Sequence, residues 1–508
     1  MNKPSIVKNT AIITTLSCLE RALGFLYRIV LARLLGAEGV GVYQIALSHS
    51  MLFQTAAGGG IPVTLSRTVS ALNAANEPKK SGGALSAALL LGALISLPIT
   101  LFLFPLADKI PAFANDAPVL KILLLSLSAC SAYVAIKGYF WGNKEFFAPA
   151  VFEMAEQIFT VALGVVFLSN AQGLSAVDGA SRAAWAHTIA CVLSLLLAIA
   201  FLIKRKPRLS SPLPFLKQTC LTAAPITAVR TGTTLVNAAI AVLLPRALVR
   251  SGLSQAAALQ AFGVMTGMVA PLLFMPLTII GSLATVLVPE LAEDFQKRNR
   301  LRLQRNVERG TLFAVWVASF LAPFFMAIGK PLGALAYQND LAGELLSRSA
   351  LLLLPLSVNA ILMSMLNSLG FERQTFAYSL VGSAALLLCV IFLPAVMGIY
   401  AYPVGLAVGF LIESGCSLWL LQKHCPLSAR FYLRAFLCVV LTAPLGLLGQ
   451  FLLQALSLFL GKWLAPIFAA LLLLAVALAA YRICGLLPAF LHTRKSTAKS
   501  SKRIPSHS

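Results

Sequence analysis

The chain has 508 residues, of which 59% are hydrophobic and only 11% charged, with a mean hydropathy of +0.86. A soluble domain carries about a quarter of its residues as charges, so composition excludes an ordinary soluble protein. The net charge of +23 reads as lysine and arginine gathered in cytoplasmic loops, and no nucleic-acid-binding motif is visible.

Many apolar stretches reach the roughly 20 residues that cross a hydrocarbon core, and none shows the alternating segments of about 10 residues that a β-barrel needs. The chain is predicted to be an all-α integral membrane protein with about 14 transmembrane helices. They fall near residues 8–35, 41–73, 84–107, 117–141, 149–169, 181–203, 216–249, 257–291, 308–329, 345–369, 374–397, 400–422, 431–456 and 463–484. The first is too long and too charged for a signal-peptide core, and no A-x-A-like site follows closely. Lysine and arginine crowd the loops KRKPR at 204–208 and KRNRLRLQR at 297–305, whereas DKIPAFANDAP is poor in them. That asymmetry places both termini in the cytoplasm.

Helix 1 contains LSCLERALGFLYRIVLARLL at 16–35, with Glu20, Arg21, Arg28 and Arg33. An arginine at the bilayer centre costs about 2.5 to 3.5 kcal/mol even on lenient scales. Arg21 and Arg28 are seven residues apart and share nearly one helical face. Arg33, near the outer end, is expected to snorkel to the interface. In helix 2 the run AAGGGIP places Gly58, Gly59, Gly60 and Pro62 in a helix break with Arg67 below it. Such a break frees backbone groups that only a cavity or a packed neighbour satisfies. Helix 8 carries Pro271, Pro276 and Gly281 in the corresponding part of the second half, and paired interrupted helices point to a transport site.

Helix 7 reveals a repeat. KNTAIITTLSCLER at 8–21 aligns without gaps on KQTCLTAAPITAVR at 217–230, so Arg21 matches Arg230. Each arginine lies about 20 Å past its matching lysine at 1.5 Å per residue. The repeat predicts two pseudo-symmetric six-helix lobes, residues 1–204 and 205–423, plus helices 13 and 14 within 424–487. A disordered basic cytoplasmic tail is expected over 488–508.

The acids placed within spans are Glu20, Glu153, Glu156 and Glu413. Two readings stand. The arginines either pair with these acids and lock helices together, or they line a water-filled cationic cavity for an anion. Guanidinium suits phosphate, and several suit a diphosphate. Arg21, Arg28, Arg67 and Arg230 are the candidate substrate-binding residues, with Glu20 and Glu156 as charge partners or coupling groups. His49 and His187 read as satisfied buried histidines. Nine scattered cysteines suggest neither metal nor disulfide. No Walker motif or catalytic dyad appears, so no enzyme activity and no cofactor is expected. Coupling to membrane potential, H+ or Na+ stays open.

The stretches RALGFLYRIVLARLLGAEGVGVYQIAL, GGGIPVTLSRTVSALNAANE, GYFWGN and AEQI resemble the stage V sporulation protein B group of the multidrug/oligosaccharidyl-lipid/polysaccharide (MOP) exporter superfamily. The likeness is close over helices 1 to 5 and extends to the length and layout of the whole chain. It implies the MOP exporter fold and a flippase in a bacterial cell membrane. Its cargo would be an undecaprenyl-diphosphate-linked saccharide, either a polysaccharide repeat unit or the peptidoglycan precursor lipid II, moved to the outer leaflet by alternating access. Membrane lipids and cell-wall synthases are the implied partners, nucleic acid is not, and members serve spore cortex or polysaccharide assembly. A cation-coupled multidrug exporter of the same superfamily, using Glu20 or Glu156, is the alternative. A non-transport scaffold for cell-wall enzymes is a second. The murein lipid II flippase resembles the chain more distantly at Arg21, Gly24 and Phe25. Its next arginine would fall on Tyr27, 100° around the helix from Arg28, so a substrate role carries over better to Arg21.

Overall fold

A computed structural model describes residues 3–169 and 173–486, and among these there is no strand. The tail expected over 488–508 lies outside the described residues. The first helix, α1 (Lys3–Gly58), is followed by α2 (Ile61–Ala74), α3 (Ser81–Leu106), α4 (Ala117–Leu125), α5 (Leu127–Gly142), α6 (Phe147–Leu168) and α7 (Ala176–Arg205). Next come α8 (Leu213–Arg250), α9 (Gln255–Gly263), a π-helical stretch Val264–Val269, α10 (Ala270–Phe274) and α11 (Leu277–Gln296). The chain continues through α12 (Arg300–Tyr337), α13 (Asp340–Ser349), α14 (Leu353–Ser368), α15 (Glu372–Phe392), α16 (Pro394–Met397), α17 (Ala401–His424) and α18 (Ala429–Ile483).

Among the described residues, twelve helices are long and apolar enough to cross a membrane, or thirteen if the bent pair α4–α5 is one span. The first, Cys18–Ala74, runs 57 residues. That is about 85 Å of helix against a hydrocarbon core of about 30 Å, so it divides into two passes and the expected fourteen are accounted for. Large apolar side chains face outward, among them Phe102 at 70% and Phe459 at 84% exposure, as lipid-facing surfaces do.

The division of α1 falls at Gly36, whose φ of 67° and ψ of 174° leave the helical region. Gly461 does the same within α18, at φ 69° and ψ 175°. This corner of backbone space is essentially open to glycine alone. A Cβ at Gly36 would meet nothing within 4 Å, so its substitution isolates the backbone penalty. Gly36→Ala should lower stability by about 1 to 3 kcal/mol, read as a fall in melting temperature of the detergent-purified protein; an unchanged melting temperature would show that the corner relaxes freely.

The span expected over 257–291 is interrupted. The π-helical stretch and a break before Leu277, with Pro276 preceding α11, replace one continuous helix, because proline offers no N–H to extend the ladder behind it.

The described chain forms two compact units. The first holds the residues through Leu272 with Ala334–Ala342 and Ser383–Gly405; the second holds Leu273–Gly333, Gly343–Gly382 and the residues from Leu406 onward. In the first unit α1 and α9 meet backbone to backbone. A Cβ at Gly41 would fall 2.1 Å from the Leu259 carbonyl oxygen, and one at Gly263 would fall 2.2 Å from that of Ala37. Phe140, Phe152 and Phe201 fill the core in edge-to-face contacts of 5.6 and 5.2 Å. In the second unit Trp316 stacks on Phe320 at 5.3 Å, and both adjoin the buried Tyr481.

Arg33, exposed near the outer end of its span, reaches the end of another helix. Its Nε donates to the Ala336 carbonyl at 2.9 Å and its Nη2 to that of Leu335 at 2.6 Å. These are last-turn carbonyls of α12, which lack intrahelical partners and sit at the negative end of the helix dipole. His49 is satisfied and buried, as expected: its Nδ1 lies 2.9 Å from Asp116 Oδ2.

Candidate functional site

Polar side chains converge inside the first unit because four helices contribute them to one space. On α1 they are Glu20, Tyr27 and Arg28, with Gly24 between them, and then Tyr43 and Gln44 beyond the Gly36 corner. On α5 they are Tyr133 and Lys137, one turn apart, and on α6 they are Glu153, Glu156, Gln157 and Thr160. His187 comes from α7. A soluble helix would turn such faces to water, whereas here they enclose a cavity of about 380 Å³.

The charges inside are mixed. Lys137 Nζ is ion-paired with Glu153 Oε1 and lies 4.8 Å from the centroid of the Trp141 ring. Glu156 Oε1 is 3.7 Å from Cys191 Sγ, which is 3.7 Å from His187 Nε2. Tyr27 is buried, and Gly164 makes room for its ring, since a Cβ at Gly164 would fall 2.4 Å from it. The hydroxyl of Tyr27 has no hydrogen-bond partner among the described residues. Glu20 and Arg28 line the cavity with Lys137 and Glu156, and among the described residues neither is in an ion pair.

Of the four candidate arginines, Arg28 alone lines this cavity. All four side chains are exposed. Arg230 belongs to the helix break: its Nη1 donates to the Gly59 carbonyl at 2.8 Å, and the Gly60 N–H donates to Thr227 Oγ1 at 3.0 Å. The groups freed between α1 and α2 are thus held by α8, a packed neighbour. Only glycine fits here, since a Cβ at Gly60 would lie 2.3 Å from the Ala223 carbonyl oxygen. Pro62 closes the other side against α5, where a Cβ at Gly138 would lie 2.7 Å from Pro62 Cα. Gly58 borders the same helix: a Cβ there would lie 3.2 Å from Val134.

No arginine of the four pairs with a carboxylate among the described residues. The ion pair in the cavity, Lys137 with Glu153, uses a lysine and none of the arginines. Its signal was present: a lysine in the otherwise apolar span 117–141, four residues before Trp141. No group of three or more metal-ligating side chains occurs among the described residues.

The chain matches the family model for polysaccharide biosynthesis proteins over residues 6–294. Stage V sporulation protein B of Bacillus subtilis is 24% identical over 404 residues, covering 75% of this chain and 76% of that protein. The lipid II flippase MurJ of the same organism is 22% identical over 525 aligned residues, covering 94% and 95%. A solved lipid II flippase MurJ in an inward closed conformation superposes with a TM-score of 0.72 at 13% identity, over 93% of this chain and 99% of that one. The fold implied by the resemblance is therefore the fold observed.

Proposed function

We propose, from the premise that the chain belongs to the polysaccharide biosynthesis protein family, that it is a flippase for a lipid-linked saccharide bearing a diphosphate. The observation that carries this reading is the set of arginines on membrane-spanning helices with no carboxylate bound to them among the described residues: Arg21, Arg28, Arg67 and Arg230. A guanidinium at membrane depth needs water or an anion beside it. A cargo with two phosphates meets that need during passage, through charge-assisted bonds. The saccharide would be a polysaccharide repeat unit or lipid II, as the relatives' names suggest, and its lipid tail would stay in the bilayer. Lobes of residues 1–204 and 205–423 would alternate access in a bacterial cell membrane.

The decisive assay is translocation of a fluorescent undecaprenyl-diphosphate saccharide in proteoliposomes, with and without an ion gradient. Protein-dependent movement of the sugar to the opposite leaflet is the expected result. A second reading, cation-coupled export of a cationic compound, is favoured by Glu20 and Glu156, which line the cavity outside any ion pair among the described residues. Extrusion of a cationic dye with no movement of the saccharide would replace the first reading by the second.

The reading also places both termini in the cytoplasm. In a background freed of the nine cysteines, a cysteine added after Ser508 should escape a membrane-impermeant reagent in intact cells. One placed at Asn115 should react. Reaction of the C-terminal cysteine would overturn the topology.

A further inference from the structure

Glu413 lies on α17 in the second unit and is 6% exposed. The helices α15 and α17 approach through glycines. A Cβ at Gly409 would lie 2.8 Å from the Gly382 carbonyl oxygen, and one at Gly382 would lie 2.4 Å from Glu413 Oε1. Gly409 and Glu413 are four residues apart, so the close approach presses the carboxyl group onto α15. Its Oε2 accepts from Asn359 Nδ2 at 2.8 Å and from the Ser379 hydroxyl at 3.5 Å. Both donors are neutral.

No ion pair involves Glu413 among the described residues. The helix α14 that supplies Asn359 has no charged residue. On α15 the charges are Glu372 and Arg373, in its first turn. On α17 they are Lys423 and His424, in its last turn, with Lys423 about 15 Å from Glu413 along the axis. The other titratable side chains on these helices are Tyr378, Cys389, Tyr402 and Cys416. On α11 and α12, whose apolar residues pack with those of α14, the charges are Glu290, Glu293, Asp294, Arg300, Arg302, Arg305, Glu308, Arg309 and Lys330. Of these, Glu308 is bonded to the Ser428 N–H and Asp294 to Asn306.

A second observation concerns Asn359. It is more than nine-tenths buried, and its Oδ1 has no partner although its Nδ2 is bonded to Glu413. An ionised carboxylate accepts hydrogen bonds but donates none, so it leaves that oxygen bare. A carboxylic acid has one O–H to donate. With Oε2 accepting from Nδ2 and Oε1–H donating to Oδ1, acid and amide would close a cyclic pair that leaves no charge and no orphaned acceptor.

We propose that Glu413 is a proton-binding site, loaded as the neutral acid paired with Asn359. Its part in a coupled cycle rests on the transport reading above; the binding of the proton does not. Glu413→Gln supplies the test, because its amide offers the same acceptor and donor without a titratable proton. The purified full-length protein is melted in sodium-free choline buffers from pH 5.5 to 8.5. Ionisation at the higher pH breaks the pair and strands a charge. The melting temperature of the native protein should therefore fall relative to that of Glu413→Gln by about 3 °C or more. Parallel profiles would overturn the proposal. So would recovery at pH 8.5 on replacing choline with sodium, which would make the site one for Na+. The native protein gives an independent reading should the variant fold poorly. Dicyclohexylcarbodiimide modifies protonated carboxyl groups in apolar surroundings, and peptide mapping should find its adduct on Glu413 at pH 6 and less at pH 8.5. No adduct at pH 6 would also defeat the proposal. A pH-dependent melt without saccharide translocation would keep the site and sink the flippase reading; the converse result would do the reverse.

Discussion

Arg21→Ala and Arg230→Ala are each expected to abolish complementation of a flippase-deficient strain while leaving a folded protein. Truncating an arginine that grips phosphate removes a charge-assisted, often bidentate contact of about 1.5 to 3 kcal/mol. At 1.4 kcal/mol per tenfold, that is roughly a tenfold to hundredfold loss for each arginine. The two variants should differ in stability. Arg21 is exposed and in no ion pair among the described residues, so its removal strands no acid, and it also eases insertion of its helix. Arg230 holds the Gly59 carbonyl at the break, and losing that bond should cost about 1 kcal/mol. Thr227 still holds the Gly60 N–H, so the break should survive. Lysine keeps the charge but not the planar fork, so Arg21→Lys should bind cargo weakly with an unchanged melting temperature. Thermal stability in detergent, read beside complementation, decides the matter. Stable and inactive alanine variants support an anion path; an unstable Arg21→Ala, or alanine variants with full activity, defeats it.

The fold was legible because the bilayer imposes a length rule on every span, and apolar runs obey it whatever their partners. The Gly36 corner was legible only as a gap between predicted spans, at 36–40. Nothing in LLGAEGVG states that a single glycine makes the corner while helix resumes at once on either side. The break at Gly58–Gly60 was readable from three glycines and a proline, but its satisfaction by Thr227 and Arg230 was not. Those partners are 167 and 171 residues away in sequence. The displacement of the second arginine to Arg28 acquires a physical sense in the structure. Tyr27 at the cavity wall packs its ring against α6 in the space that Gly164 leaves, and Arg28 beside it lines the same cavity. Glu413 was visible as a buried acid. Its partners were not, because Asn359 and Ser379 are neutral and leave no mark on a count of charges. The balance of the cavity rests on Lys137, whose single charge in an apolar span carries the same insertion penalty as an arginine and is met by Glu153.

Lys137→Ala should destabilise the protein more than loss of any of the four candidate arginines, and removing its partner as well should restore much of the loss. Lys137 and Glu153 are ion-paired with side chains 19% and 28% exposed. Breaking a buried pair by deleting one member costs about 3 to 5 kcal/mol, because the other charge is left uncompensated. The cavity admits some water here, so the lower end of that range is expected. The local charges reinforce the effect. Glu20 and Glu156 line the same space, so without Lys137 three carboxylates face one another with only Arg28 among them. Lys137 also sits over the Trp141 ring, a contact worth about 0.5 to 1 kcal/mol at partly open sites. Neutral replacement of both members, Lys137→Met with Glu153→Gln, leaves no stranded charge and fills similar volume; such exchanges are often neutral or stabilising. A double-mutant cycle of melting temperatures isolates the pair. Single variants that each lose several degrees, with a double variant close to the native protein, are the expected outcome. Additive losses would show that the two side chains act separately. A Lys137→Ala protein as stable as the native one would mean that water in the cavity already screens these carboxylates, and the mixed-charge site would lose its structural role.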